Sequence, residues 1–220
     1  IHDGGTFVFG NRVFRDSNKV PLGAVDMHRS IVKSSDIYYY QVANDLGVDT
    51  IHDFMKPLGL GQITDIDIHG EVRGLLPSTA WKRAAYRRKE QQKWYAGETI
   101  SLGIGQGYNA FTTLQLANAT ATLVSGGQRF KPRLVREIED VVTGEKRRVA
   151  NDALEPLPYK PEHIELLMRA LHGVTQEGTS VRSFANAPYK SGGKTGTAQA
   201  VGIKANQKYD ASKMEEHKRD

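Results

Sequence analysis

The chain has no cysteine among its 220 residues, which excludes disulfide staples and thiolate metal sites and is compatible with an oxidising compartment. No apolar run approaches the ~20 residues a helix needs to cross a bilayer. No charged-then-apolar leader opens the chain. An initiator methionine is lacking too: the sequence starts at Ile1 and stops on the charged stretch 214–220, so both ends are expected to be cuts through a longer protein. There is no internal repeat and no long disordered linker. Neither an aromatic-rich nucleic-acid module nor a zinc-knuckle pattern accompanies the densest basic run, Lys82, Arg83, Arg87, Arg88, Lys89 and Lys93. That run is therefore read as a solvated helix face, and nucleic acid is not an expected partner. With 39% hydrophobic and 25% charged residues, the chain has the composition of one large or two small globular domains.

Residues 6–9, Thr-Phe-Val-Phe, then Gly10 and Asn11, read as extended chain entering a turn. Asp26 is placed to cap a short helix over 27–33, with Ile31 and Val32 inward. Ser34-Ser35-Asp36 interrupts it, and Asp36 is expected to cap a second helix over 37–46, closed by Gly47. A helix over 49–55 should weaken at Pro57 and close at Gly59 and Gly61. Ser78 begins a basic helix to about Lys89, and Thr112 or Thr113 caps another over 114–124. Residues 133–142 and 146–149 read as strands around a Thr143-Gly144 turn. Pro161 suits the first turn of a helix that reaches His172 and stops at Gly173. Thr179 should begin a short helix through Phe184, and residues 189–200 read as a strand. The coarse picture is helix-rich, with few strands.

Two short segments carry chemistry. Lys194-Thr195-Gly196-Thr197 follows Gly192-Gly193, and Ser34-Ser35-Asp36 lies about 160 residues upstream. Alone, the first is an ordinary strand-turn sequence and the second a helix cap. Three further landmarks stand in order with them: Asn11-Arg12-Val13-Phe14-Arg15-Asp16, Trp94-Tyr95-Ala96-Gly97-Glu98-Thr99 and Gly103-Ile104-Gly105-Gln106-Gly107-Tyr108. The ordered set resembles the serine penicillin-binding transpeptidases, whose signatures are S-x-x-K, S-x-N and K-T-G. Within them it is most similar to the elongation-specific class B branch, the penicillin-binding protein 2 family, over essentially the whole chain.

The resemblance implies a mixed α/β (α+β) domain of the penicillin-binding transpeptidase or serine β-lactamase-like fold. On that map residues 1–220 are a partial transpeptidase domain: the helical subdomain plus the K-T-G strand. The upstream S-x-x-K segment and the C-terminal strands would lie outside it. Missing sheet neighbours leave unpaired backbone groups, so the isolated chain is not expected to be comfortable as an independent fold.

The resemblance also implies roles. The Lys194 cation would bridge to Ser34 and offset developing negative charge, and Ser34 would relay a proton to the leaving amine. Asp36 stands where most relatives carry Asn; an ionised carboxylate only accepts hydrogen bonds, so its implied partner is the lysine of the first signature. The hydroxyls of Thr195 and Thr197 would hold the terminal carboxylate of a D-Ala-D-Ala stem peptide or a β-lactam. The Thr197 N–H would be one oxyanion donor, and Gly196 keeps the strand edge approachable for an extended ligand. The implied activity is peptidoglycan D,D-transpeptidation through an acyl-serine, in cell-wall elongation and shape, with no cofactor. The implied setting is the periplasmic face of the bacterial inner membrane, beside a RodA-type glycan polymerase and the elongation complex, with the anchor outside this chain. Rival readings are a D,D-carboxypeptidase or β-lactamase-like hydrolase, and a non-catalytic penicillin-recognition module. Without its nucleophile, the 220-residue chain alone is expected to be inactive.

Ser30-Ile31-Val32-Lys33 fits S-x-x-K literally. It would fuse two signatures into five residues, too compressed to surround a substrate, and Ser30 and Lys33 are expected on the exposed side of a short helix. The Gly103–Gly107 glycines lack the Lys-Ser/Thr of a phosphate loop, and the resemblance implies that they form a structural loop bordering the site. Trp94, Tyr95 and Tyr108 are expected to pack around that loop. Of Tyr38, Tyr39 and Tyr40, one should pack inward and another line the cleft. Some relatives hold zinc with two Asp, a His and a Cys. Here Asp3 and Asp16 match the carboxylates, but Leu22 and Ser35 stand in the other two places. Two carboxylates alone hold structural zinc poorly, so no metal is expected. His2 and His28 are read as surface residues.

Overall fold

Side-chain capping sets the helical framework in the computed structural model, which describes residues 1–17 and 20–196. Asp26 accepts from the Arg29 amide at 2.7 Å and starts α1 (Met27–Lys33). Ser35, not Asp36, caps α2 (Asp36–Leu46): its Oγ accepts from the Tyr38 amide at 3.2 Å. Asp36 becomes the first helical residue, where its charge meets the positive end of the helix dipole. Adjacent capping types compete here, and Ser35 has the extended backbone a cap requires. Gly47 (φ +76°) ends α2 and opens α3 (Val48–Met55), followed by a 3₁₀ turn at Lys56–Leu58 through Pro57.

Ser78 caps α4 (Thr79–Ala85), and the basic stretch then breaks into a separate α5 (Lys89–Gln92) rather than continuing as one helix. α6 (Ala96–Leu102) follows, then α7 (Thr113–Val124), which opens on a Thr112/Gln115 capping box. α8 (Pro161–Gln176) runs through Gly173, the residue expected to stop it. A Cβ at position 173 would lie 2.8 Å from Val32 Cγ2, so this glycine serves the close packing of α8 on α1. The expected helix at 179–184 is a run of turns. Its start follows the neighbouring elements instead: the Thr179 and Ser180 amides donate to the Val32 and Val174 carbonyls, at 3.3 and 3.1 Å.

The strands are short antiparallel pairs. β1 (His2–Asp3) pairs with β4 (Gly23–Ala24), and β2 (Thr6–Phe9) with β3 (Arg12–Arg15) in the register Phe7 to Phe14. β5 (Arg129–Phe130) pairs with β8 (Ala153–Leu154), and β6 (Glu137–Glu139) with β7 (Lys146–Arg148). Every sheet among the described residues has two strands. The expected strand over 189–200 is not formed across 189–196; residues 197–200 lie outside the described set. A strand needs a partner for its N–H and C=O groups. Here Gly193 N donates to Leu171 O at 3.0 Å and Ser191 O accepts from α8 side chains, so that backbone is engaged by a helix.

Three apolar clusters hold the elements together. Ile31, Ala170 and Val174 join α1 to α8, with Tyr39 and Leu171 against them. Ile37, Tyr40 and Ile100 join α2 to α6 and are covered by Phe7, Phe9 and Phe14 of the β2/β3 hairpin. Leu58, Leu60, Leu76, Ala119 and Leu157 form the third, under α7. Full burial of such side chains is worth about 1.5–3 kcal/mol each. The first two clusters take Ile31 from α1 and Ile37 and Tyr40 from α2, so apolar packing holds both sides of the α1–α2 junction.

Candidate active site

The α1–α2 junction presents Ser34. It is the C-cap of α1 and adopts the left-handed conformation (φ 57°, ψ 51°), one of three non-glycine residues with positive φ among those described. A β-carbon is disfavoured there by about 1–2 kcal/mol, so its surroundings must hold it. Its amide returns to the Ile31 carbonyl at 3.3 Å. Next to it, the fully buried Ser35 donates its hydroxyl to Asp3 Oδ2 at 2.5 Å while accepting from Tyr38 N. The Asp36 amide donates to the buried Asp16 at 2.9 Å, and the Asp36 carboxylate accepts from Ser17 N at 3.0 Å. The second motif is thus fixed from behind by two carboxylates of the N-terminal strand region.

Opposite it lies the segment from Ser191 to Gly196. The Lys194 ammonium donates to Ser34 Oγ at 2.7 Å and to its neighbour's carbonyl, Thr195 O, at 2.9 Å. The two motifs, 160 residues apart in sequence, are therefore in direct contact. They line a cleft of about 600 Å³ together with Asp36, Tyr39, Thr195 and Gly196. The 103–106 loop forms another part of its wall, as the family resemblance implied. Ile31, Ile104, Leu167 and Leu171 add apolar surface to the cleft. Although Lys194 is exposed as a residue, loss of hydration in the cleft holds its pKa below the ordinary lysine value, and the Asp36 charge opposes that shift. Tyr40, behind Asp36, is pushed up to about 12 by burial first and then by the Asp36 and Asp16 charges. It stays neutral as a packing residue.

Ser34, Asp36, Lys194, Thr195 and Gly196 are brought together in one cleft; Thr197, assigned an oxyanion N–H and a hydroxyl contact, lies outside the described residues. The literal S-x-x-K departs from expectation. Ser30 is fully buried rather than on an exposed helix side, with its hydroxyl donating to Met27 O at 2.7 Å and 3.3 Å from the Tyr39 hydroxyl. Lys33 reaches the Glu177 carbonyl at 2.5 Å, at the end of α8. Of the three tyrosines, Tyr40 packs inward and Tyr39 lines the cleft.

The family zinc site can be tested against the residues present. Asp3 already accepts from Ser35 Oγ and from Gly5 N at 2.9 Å, and Asp16 from Asp36 N. Leu22 offers no ligand atom, and a serine hydroxyl engaged as a donor cannot replace a thiolate. Among the described residues no group of three or more His, Cys, Asp or Glu side chains is arranged to hold a metal ion. The residues do not fit zinc; hydrogen bonds occupy the same carboxylates.

Sequence patterns marked Thr179 only as a helix start, not as a residue of the site. It lines the cleft, with its hydroxyl 3.1 Å from that of Thr195. A threonine in a turn has no spacing signature; only the tertiary path of the chain after α8 brings it there.

The geometry agrees with comparison to known proteins. Residues 3–217 match the penicillin binding protein transpeptidase domain model. The peptidoglycan D,D-transpeptidase MrdA of Haemophilus influenzae is 36% identical over the whole of this chain, which covers 34% of that relative. The crystal structure of Pseudomonas aeruginosa PBP2 superposes with a TM-score of 0.76 at 34% identity, covering 90% of this chain and 44% of that one. A chain from a peptidoglycan synthase complex does so with a TM-score of 0.73 at 33% identity, covering 90% and 32%. The chain thus spans about a third of the length of the curated relatives it matches. With the helical scaffold, the motif order and the cleft in agreement, the chain belongs to the penicillin-binding protein transpeptidase domain family.

Proposed function

We propose that this chain is part of a peptidoglycan D,D-transpeptidase of the penicillin-binding protein 2 type and carries half of its active site. The observation that carries this is the 2.7 Å bridge from Lys194 to Ser34, two family motifs meeting in one cleft beside Asp36 and Thr195. The reaction is acyl transfer. A serine supplied from outside residues 1–220 attacks the carbonyl of the penultimate D-Ala; the amide C–N bond breaks and the terminal D-Ala leaves as an amine. The amine of a neighbouring stem peptide then attacks the acyl-serine and completes the cross-link. Because Lys194 donates to Ser34 Oγ, the hydroxyl hydrogen of Ser34 is turned away from Lys194. Ser34 is so oriented to relay a proton to the leaving amine: it gives its own hydrogen and is reprotonated by the lysine that accompanies the nucleophile, which has taken the proton of the attacking serine. Lys194 offsets the developing negative charge, the hydroxyls of Thr195 and Thr197 hold the substrate carboxylate beside Gly196, Thr197 N–H donates to the oxyanion, and Asp36 orients the lysine that accompanies the nucleophile.

The relative from a peptidoglycan synthase complex that coordinates polymerization and crosslinking supports placing the parent protein beside a glycan polymerase; on our reading that polymerase is of RodA type and belongs to the elongation complex. Its site of action on this reading is the periplasmic face of the inner membrane, held there by an anchor outside this chain. The test is labelling of the intact protein with a fluorescent penicillin, followed by product analysis on stem-peptide substrates. Covalent labelling with cross-linked dimers supports the transpeptidase. Labelling with trimmed monomers alone supports a carboxypeptidase, and absence of covalent labelling leaves a non-catalytic recognition module.

A further inference from the structure

We infer that Thr179 is a positioning residue for anion recognition in the cleft: its hydroxyl donates to Thr195 Oγ1 and thereby turns the Thr195 O–H toward a ligand carboxylate. The inference rests on the transpeptidase reading above and adds a residue to it.

The path of the chain after α8 holds Thr179 in place. Gly178 has no room for a side chain, since a Cβ would lie 2.4 Å from Val32 O and 2.7 Å from Val174 Cα. The Thr179 amide then donates to Val32 O at 3.3 Å, two residues before Ser34. Lys33 fastens the same turn through the Glu177 carbonyl at 2.5 Å. The turn is therefore tied to the end of α1, and its one hydroxyl that lines the cleft sits 3.1 Å from Thr195 Oγ1. Lys194, next in sequence to Thr195, has its ammonium 2.9 Å from the Thr195 carbonyl.

Each threonine hydroxyl has a single hydrogen and two acceptor lone pairs. A carboxylate only accepts. Thr195 can donate to it only if the hydrogen in the Thr179–Thr195 contact comes from Thr179. With an anion present, the order Thr179 to Thr195 to carboxylate is the one that satisfies all three groups, and each bond polarises the next. Turned the other way, Thr195 would spend its hydrogen on Thr179 and face the anion with lone pairs. Thr179 therefore favours ligands ending in a carboxylate: the C-terminus of a peptide, or the ring carboxylate of a β-lactam.

The test uses the intact protein and two β-lactams identical except that the ring carboxylate is free in one and methyl-esterified in the other. Thr179→Val should slow acylation by the free acid roughly three- to tenfold, the worth of one hydrogen bond, and leave the ester within twofold. Thr179→Ser should restore the wild-type rate. In a Thr195→Val background, Thr179→Val should have no further effect, because its action runs through Thr195. Equal slowing of acid and ester, or additive effects of the two substitutions, would overturn the inference in favour of a merely structural turn. So would an unaffected free acid. Should Thr179→Val lose its cooperative melting transition, Thr179→Ala takes its place under the same criteria. A wild-type protein acylated by neither compound would instead sink the transpeptidase reading, and this inference with it.

Discussion

Lys194 Nζ and Ser34 Oγ stand 2.7 Å apart, joining an exposed segment after α8 to a left-handed residue between α1 and α2. Neither group is positioned by its own local sequence alone. Ser34 is held by the caps on either side of it, and the Lys194 segment by backbone and side-chain bonds to α8. In the intact protein, Ser34→Ala and Lys194→Gln are each expected to lower penicillin acylation by about 10²-fold or more, the usual scale for a proton-transfer or charge-stabilising group. Together they should cost little more than either alone, since they act as one unit. Second-order acylation rates check this; full additivity would mean the bridge is not functional.

A pH dependence follows from Lys194. Loss of hydration holds its pKa below the ordinary value of 10.5, so it loses its charge at a lower pH than a surface lysine. Carboxylate ligands should therefore bind less well as pH rises through that lowered value, while esterified ligands should not. The stability linkage has the opposite sign. Between the lowered folded value and 10.5 the unfolded chain binds more protons at this site, so its contribution to folding rises with pH. An NMR titration of the Lys194 side chain that gave a midpoint at or above 10.5 would refute both statements.

The buried Asp3–Ser35 bond predicts metal independence. Ser35→Ala leaves a fully buried carboxylate short of a donor and should cost about 1–3 kcal/mol of stability. Chelators and added zinc should leave the melting temperature of the intact protein unchanged, since the described residues offer no site at which a metal ion would bind the native state preferentially. A chelator-induced fall in melting temperature would show that a metal is bound after all.

Much of this was legible from local sequence because the signals are local. Asp26, Ser78, Thr112 and Pro161 each open a helix where expected, because a cap or a fixed φ acts within one turn. Gly173 was misread because glycine has two uses, ending a helix and letting another element approach; only the position of Val32 decides between them. Ser30 was placed on the outside because a seven-residue helix has too few residues to define its buried face without α8. The motif residues of the cleft were visible through ordered resemblance. Thr179 was not, since its contact with Thr195 exists only through the tie between α1 and the end of α8. The strand expected over 189–200 is absent from its described part, 189–196, for a related reason: strand character depends on a partner.

Lys82, expected on a solvated helix face, is instead buried under a layer of aromatic rings outside the cleft. It is 4% exposed, donates to both oxygens of Glu98 at 2.5 Å, and lies 5.3–5.6 Å from the ring centres of Trp94, Tyr95 and Tyr108. Glu98 sits in α6, the helix that leads into the cleft loop at 103–106. Burial acts to raise its carboxyl, but the bonds from Lys82, the Tyr95 amide and Tyr108 outweigh it and hold it below the ordinary 4.5. A depressed carboxylate stabilises the fold above its unfolded value, and that contribution is lost as pH falls through the lowered one. Lys82→Met should therefore cost about 3 kcal/mol at neutral pH by stranding the Glu98 charge. Lys82→Met with Glu98→Gln should recover part of that loss, because the pair is removed together. Urea unfolding at pH 7 and pH 3 measures both: the cost of Lys82→Met should be smaller at the lower pH, because Glu98 without the Lys82 bond that lowers its pKa takes up a proton more readily. An equal cost at the two pH values would mean that Lys82 contributes by packing against the rings, with the ion pair irrelevant.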